Sequence, residues 1–256
     1  MPDADLKPET LFKYVLRLAD DQLILGQRLG EWCGHAPTLE EELALANIGL
    51  DLLGQARSLY SYAGEIEGKG QGEDDLAFLR PEREYLNALL VEQPNGDFAV
   101  TIVRQVFHAA FMVPFWRTMT ASSDETLAAI AAKSLKEVEY HLRHSSEWLI
   151  RLGDGTEESH RRSQDALEEL WGYASELFEM DALADEMLDC GIAVDAAALK
   201  AEWDATVNAV LERASLTRPM DSWSQSGGRS GRHSEHLGHI LSELQYMQRT
   251  YPGLSW

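Results

Sequence analysis

The stretch KSLKEVEYHLRHSSEWL, Lys133–Leu149, sets apolar and small residues at steps of three and four and carries two histidines among its charges. That spacing predicts an amphipathic helix. Extended in both directions, its inward stripe reads Leu127, Ala131, Ser134, Val138, His141, Ser145, Trp148 and Leu152. A bundle helix meets its neighbours through such a stripe, and helical bundles that hold metals place the ligands there. The central question is whether this helix holds iron or keeps only the scaffold.

Helical periodicity continues along the chain, and no run alternates with the period of a strand. A first helix is predicted from about Glu9 to Gly34. TLEE at Thr38–Glu41 reads as a capping box opening a long second helix that ends near EGKGQG. RPERE, from Arg80, starts a shorter helix ending at QPNGD. Asp97 caps a helix from Phe98 to about Thr120, and SSDE at Ser122–Glu125 opens the next, which stops at GDG. Further helices follow at about Glu157–Phe178, Asp195–Ser215 and Glu235–Arg249, with a Gly/Ser/Arg-rich loop before the last. The ends, Lys69–Asp75 and the 224–232 loop read as mobile. The expectation is an all-α, ferritin-like four-helix bundle with additional shorter helices, one domain over residues 1–256.

Composition narrows the partners. The 256 residues are 45% hydrophobic, ordinary for a globular chain, with 43 acidic against 22 basic side chains and a net charge of −21. Charge of that sign repels nucleic acid and anionic membranes. Cys33 and Cys190 stand far apart and have no zinc-type spacing, so buried, reduced thiols are expected. The start, MPDADLKPET, is acidic and polar, unlike a signal peptide, and runs such as FMVPFW are too short to span a bilayer. A cytoplasmic setting is the reading.

The stripe of the first helix is Leu11, Val15, Leu18, Gln22, Leu25, Leu29 and Trp32; that of the second is Leu45, Ile48, Leu52, Gln55, Leu59, Tyr62 and Ile66. Each stripe has one polar residue near its middle: Gln22, Gln55 and His141. Buried amides and imidazoles cost about 1–3 kcal/mol unless hydrogen-bonded, so the three are expected to meet. Carboxylate-bridged di-iron bundles use a Glu from each of two helices and an E-x-x-H pair from each of the other two. Carboxylates bridge and neutralise two hard cations, and imidazole completes the coordination without adding charge. Here the E-x-x-H slots read Leu52-Leu53-Gly54-Gln55 and Val138-Glu139-Tyr140-His141, and the first helix offers uncharged Gln22. From Phe98 to Ser123 there is no Asp or Glu, so that helix has no carboxylate to donate. The expectation is no catalytic residue, no cofactor site and no metal in this chain, with Gln22, Leu52, Gln55, Val138 and His141 as vestigial ligand positions.

Two other clusters compete. Glu137, His141 and His144 fall within an arc of about 60° on one helix; a mononuclear site is conceivable, and a Glu137–His141 hydrogen bond is the plainer alternative. In RHSEHLGH, His233, His236 and His239 recur every three residues with Glu243 beyond, a spacing that drifts around a helix and suits a partner-facing or solvated surface. GGRSGR places two arginines before a helix start, a weak candidate for an anion or docking site.

RLGEWCGHAPTLEEELALANIGLDLLGQAR, LLVEQPNGDFA, KSLKEVEYHLRHS and GRHSEHLGHILSELQYMQRTYPG closely resemble the C-subunit family of bacterial ring 1,2-phenylacetyl-CoA epoxidases (phenylacetate-CoA oxygenases), over nearly the whole chain. These are multicomponent monooxygenases of aerobic phenylacetate degradation. The resemblance implies a structural, non-catalytic subunit that pairs with a catalytic A subunit. The A subunit is a ferritin-like di-iron protein fed by a reductase that uses NADPH, flavin and an iron–sulfur cluster. It also explains the losses. A D-E-x-G-H motif of the A subunit matches Asp51 and Gly54, with Leu52 and Gln55 standing for its ligands. Its K-E-E-x-F-H motif matches KEVEYH, with Val138 at the ligating Glu and His141 retained. The runner-up is an oxygenase in its own right with a non-standard iron site. A third reading is a stand-alone CoA-thioester binder using Arg229 and Arg232. The resemblance puts the other components of the complex among the partners, leaves a homo-oligomer of the isolated chain open, and gives neither nucleic acid nor membrane a role. The seven tryptophans and the ending YPGLSW offer interface anchors.

Overall fold

The structure, a computed structural model, describes residues 7–254. In chain order the α-helices are α1 Pro8–Gly30, α2 Leu39–Glu67, α3 Glu73–Phe78, α4 Leu89–Glu92, α5 Phe98–Met119, α6 Glu125–Gly153, α7 Glu157–Leu170, α8 Ala182–Asp189, α9 Lys200–Arg213, α10 Glu235–Leu244 and α11 Tyr246–Thr250. No strand occurs among the described residues. The fold is all-α, of the ferritin-like class. The chain divides into two compact units, one of residues 1–94 and 227–256, the other of residues 95–226. Each is built on a pair of long helices. The chain start and Trp256, invoked above for targeting and anchoring, lie outside the described residues; both cysteines are free thiols, but Cys33 is exposed and Cys190 half-buried rather than buried.

In the first unit α1 packs along α2. The helices come close where two glycines face each other: a methyl on Gly26 would lie 3.2 Å from the Gly49 carbonyl oxygen and 3.4 Å from Leu52 Cβ. The expected stripes are buried from Leu11 to Leu29 and from Leu45 to Leu59. Trp32, Tyr62 and Ile66 are only half-buried. Pro8 opens α1, with Glu9 in its first turn and Arg28 in its last, both favourable to the helix dipole. α1 stops at Gly30, four residues short of the expected end, in a series of turns over 31–35. α2 starts after Thr38 as expected, but the Thr38 side chain makes no cap bond, so the TLEE capping box does not form. Glu40, Glu41 and Glu42 in the first turn supply the favourable charge, and Gly68 closes the helix in the left-handed conformation (φ 68°).

The helix expected from RPERE is absent. Glu82–Glu84 make one 3-10 turn and the chain runs extended to the short α4. The cause lies on α1: the Asp20 carboxylate takes the N–H of Leu86 and the Asp21 carboxylate the N–H of Ala88, both at 2.7 Å. Those donors would otherwise close helical turns. The last predicted helix likewise breaks, at Gln245, whose buried side chain donates to the Arg80 carbonyl and the Tyr85 hydroxyl, each at 3.0 Å. Lys69–Asp75, read as mobile, runs into α3 from Glu73.

In the second unit α5 packs against α6, α7 and α9. Asp97 caps α5 by accepting from the N–H groups of Ala99 and Val100, and Asp124 caps α6 by accepting from Leu127 N–H. The buried α6 stripe runs as read from Leu127 to Ser145 and then shifts to Leu149 and Gly153. Trp148 instead meets Phe98 edge-on at 5.2 Å. The predicted helix over 157–178 changes to 3-10 geometry at Trp171, and that over 195–215 to a 3-10 turn followed by α9. α5 overturns one expectation. It is long and apolar enough to cross a membrane (mean hydropathy 1.5), yet 89% of that stretch is buried inside the protein. It is the core helix of its unit.

Candidate functional site

Gln22, Leu52 and Gln55 lie in the first unit, on the packed α1 and α2, and all three are buried. Both polar atoms of the Gln22 amide lack a hydrogen-bond partner among the described residues. An orphaned buried amide costs about 1–3 kcal/mol, so α1 carries a polar group that its own packing does not use. In the second unit Val138 and His141 lie nearly one turn apart on the buried face of α6, between Ser134 and Ser145. The Ser145 hydroxyl donates to the His141 carbonyl at 2.8 Å.

These residues do not fit a pair of iron ions. Gln22, Leu52 and Val138 stand where the template needs carboxylates, and Gln55 stands where it needs an imidazole. Among the described residues no three His, Cys, Asp or Glu side chains come together as a metal-binding group. Of the second candidate trio, His141 is buried while Glu137 and His144 are half-buried. Lys133 approaches Glu137 to 3.9 Å, and the Tyr140 ring lies beside both imidazoles.

The third cluster comes apart. His236 and His239 are on α10, but His233 precedes it and its side chain is fully enclosed. Its Nδ1 lies 2.8 Å from Glu92 Oε2 and its Nε2 2.8 Å from the Tyr85 carbonyl oxygen. A carbonyl and a carboxylate both accept, so the arrangement favours the doubly protonated, imidazolium form of His233. Burial alone would pull its pKa down. The hydrogen bond and charge of Glu92, with the Tyr85 carbonyl, outweigh that and leave it raised above the ordinary 6.5. Glu92 also accepts from Ser234 N–H (2.6 Å) and the Asn87 amide (2.9 Å).

A second network, which sequence reasoning missed, adjoins it. Asp20, with no exposure, takes hydrogen bonds from Arg80, Tyr60 and Leu86 N–H. Burial works to lower the Arg80 pKa, but Asp20 and the flanking tyrosines leave it raised. Burial, then the Asp20 charge, push Tyr60 well up, and burial takes Tyr85 to about 12. Asp21 accepts from Arg229 at 2.7 Å, and that guanidinium also donates to the Arg17 and Leu86 carbonyls. The expected anion site at GGRSGR is therefore answered from within: Arg229 is held by Asp21, and the loop read as mobile is pinned to α1. The fit is close. A methyl on Gly228 would sit 2.1 Å from the Asn87 carbonyl oxygen. Gly228→Ala must push the loop off the 83–88 segment and should cost about 1–3 kcal/mol, read as a lowered midpoint in urea unfolding. The available signal was the pair Asp20-Asp21 set between the apolar residues Leu18-Ala19 and Leu23-Ile24-Leu25 of α1.

The second unit holds a cavity of about 350 Å³ lined by Trp171, Phe178, Lys200, Trp203, Asp221 and Trp223, within the range of small-ligand sites. Trp171 donates to Asp221 at 2.7 Å, and the Lys200 ammonium, paired with Asp204 at 2.6 Å, lies over the Trp203 and Phe178 rings. Trp116, Trp171 and Trp203 are core residues; Trp223 is 41% exposed.

Compared with known proteins, residues 2–256 match the sequence model of a family described as "Phenylacetic acid catabolic protein". The chain is also 53% identical, over 246 residues, to the C subunit of the 1,2-phenylacetyl-CoA epoxidase of Escherichia coli strain K12; the match covers 96% of this chain and 99% of that one.

Proposed function

The chain belongs to the phenylacetic acid catabolic protein family, and from that membership we propose that it is a structural, metal-free subunit of a multicomponent phenylacetyl-CoA 1,2-epoxidase. Its role is to pair with and support a catalytic di-iron subunit, in the cytoplasm, with a reductase supplying electrons. The observation that carries the reading is the donor set. Where a di-iron bundle places ligands, this chain has Gln22, Leu52, Gln55 and Val138, and only His141 keeps a ligand type. The relative is itself named as a subunit of an epoxidase, over almost its whole length. The readings that need a site within this chain have less to stand on. A CoA-thioester binder would have to detach Arg229 from Asp21, and an oxygenase would have to find carboxylates beyond the inward stripes.

Elemental analysis tests this. Produced alone with abundant iron, the protein should contain iron far below one atom per chain, and His141→Ala should leave that content unchanged. Iron should appear only in preparations that include the catalytic subunit. Near-stoichiometric iron in the isolated chain, lost in His141→Ala, would overturn the reading and point to Glu137, His141 and His144.

A further inference from the structure

α2 has two apolar stripes, where a helix on the surface of a unit needs one. The first, through Leu45, Ile48, Leu52 and Leu59, is buried. The second runs through Leu39, Leu43, Ala46, Leu50 and Leu53, with steps of four, three, four and three. At 100° per residue these five fall within about 80° of one face. Leu39, Leu43 and Leu50 are 67%, 57% and 64% exposed, and Ala46 and Leu53 are half-buried. Steps of four and three sum to the seven-residue repeat by which one helix seats its side chains between those of another. Scattered exposed leucines need no explanation, but a continuous seam of them does.

The charges beside the seam select its occupant. Between Leu39 and Ala56 the charges of α2 that reach the surface are Glu40, Glu42 and Asp51, all acids; Glu41 is buried on the opposite face, and there is no Lys or Arg. The first base is Arg57, which is held by Glu73 at 2.7 Å. A second copy of this chain would set acids against acids on a molecule of net charge −21. We propose that the Leu39–Leu53 seam of α2 is a docking surface for a helix of a different subunit, one presenting leucine-type residues at the same repeat flanked by Lys and Arg. The inference rests on the reading that this chain pairs with the catalytic subunit, and it assigns that pairing to one face of one helix.

Leu43→Asp/Leu50→Asp and Glu40→Gln/Glu42→Gln, made in the full chain, test it against the purified catalytic subunit. Leu43 and Leu50 point away from the core, so the thermal transition of the aspartate variant should match the wild type, while the glutamines, which also remove first-turn charge from α2, should lower it by only a few degrees. The aspartates should weaken pairing at least about a hundredfold, the effect of losing central anchors. The glutamines should weaken it less, mainly at low salt, and flatten its salt dependence. If the wild type pairs and the aspartate variant pairs equally well, the seam is not the docking surface, while the proposed function stands. If the wild type does not pair at all, the proposed function fails and the docking proposal falls with it. If the chain alone sediments as a dimer that the aspartates dissociate, the seam serves a second copy and the heterologous assignment is overturned.

Discussion

Asp20→Ala is expected to lower the thermal midpoint by on the order of 10 °C. Removing one partner of a buried ion pair costs about 3–5 kcal/mol, because the other is left charged and out of water, and in a chain of this size each kcal/mol moves the midpoint by roughly 2–4 °C. Asp20 has more than one partner to lose. Its carboxylate is enclosed and accepts from the Arg80 guanidinium, the Tyr60 hydroxyl and the Leu86 N–H. The last of these holds the 85–88 segment extended along α1, so the loss should spread to the loop before α10, whose Arg229 and His233 bond to the Leu86 and Tyr85 carbonyls. Asp20→Asn, which keeps an acceptor but not the charge, should fall between wild type and alanine. Tyr60→Phe should cost about 1 kcal/mol, the net value of one hydrogen bond. Differential scanning calorimetry of the three variants checks the order; an Asp20→Ala midpoint within a degree or two of wild type would mean that the network contributes little.

The same residues show where the sequence could be read and where it could not. The long helices were legible because their stripes repeat at steps of three and four over many turns, and local signals such as Asp97 and Asp124 fixed their starts. The burial of Gln22, Leu52, Gln55, Val138 and His141 was legible because each sits in the inward stripe of its helix. What stayed hidden depends on distant partners. RPERE has every local mark of a helix start, and only Asp20 and Asp21, about sixty residues earlier, hold the following backbone extended. His233 looked like one of a histidine series and is instead the buried partner of Glu92. The sequence of α5 contains no Asp or Glu. Its nearly all-round burial, which encloses Arg104, Gln105 and His108, needed the packing of α6, α7 and α9 to be seen.

Glu92→Ala should destabilise nearly as much as Asp20→Ala and should also change how stability depends on pH. The carboxylate has three donors, from His233, Asn87 and Ser234, the last being the residue that precedes α10. Its removal leaves His233 enclosed beside the unbonded Ser234 N–H and an Asn87 amide that keeps only its bond to the Ala88 carbonyl. The chain can relieve the charge only by releasing the His233 proton, which then leaves Nδ1 or Nε2 without its hydrogen. Hence the pH signature. His233 in the folded protein holds its proton more tightly than the ordinary 6.5, so its contribution to stability is complete below about pH 6.5 and is lost as pH rises through the folded value. Unfolding free energy, measured in urea at fixed temperature, should therefore fall for the wild type relative to His233→Gln as pH rises through that window. Glu92→Gln, which keeps the shape but removes the charge that raises the histidine, should flatten the fall. Wild type and His233→Gln curves that run parallel across the window would mean that His233 binds its proton equally in the folded and unfolded chain, and that Glu92 does not raise it.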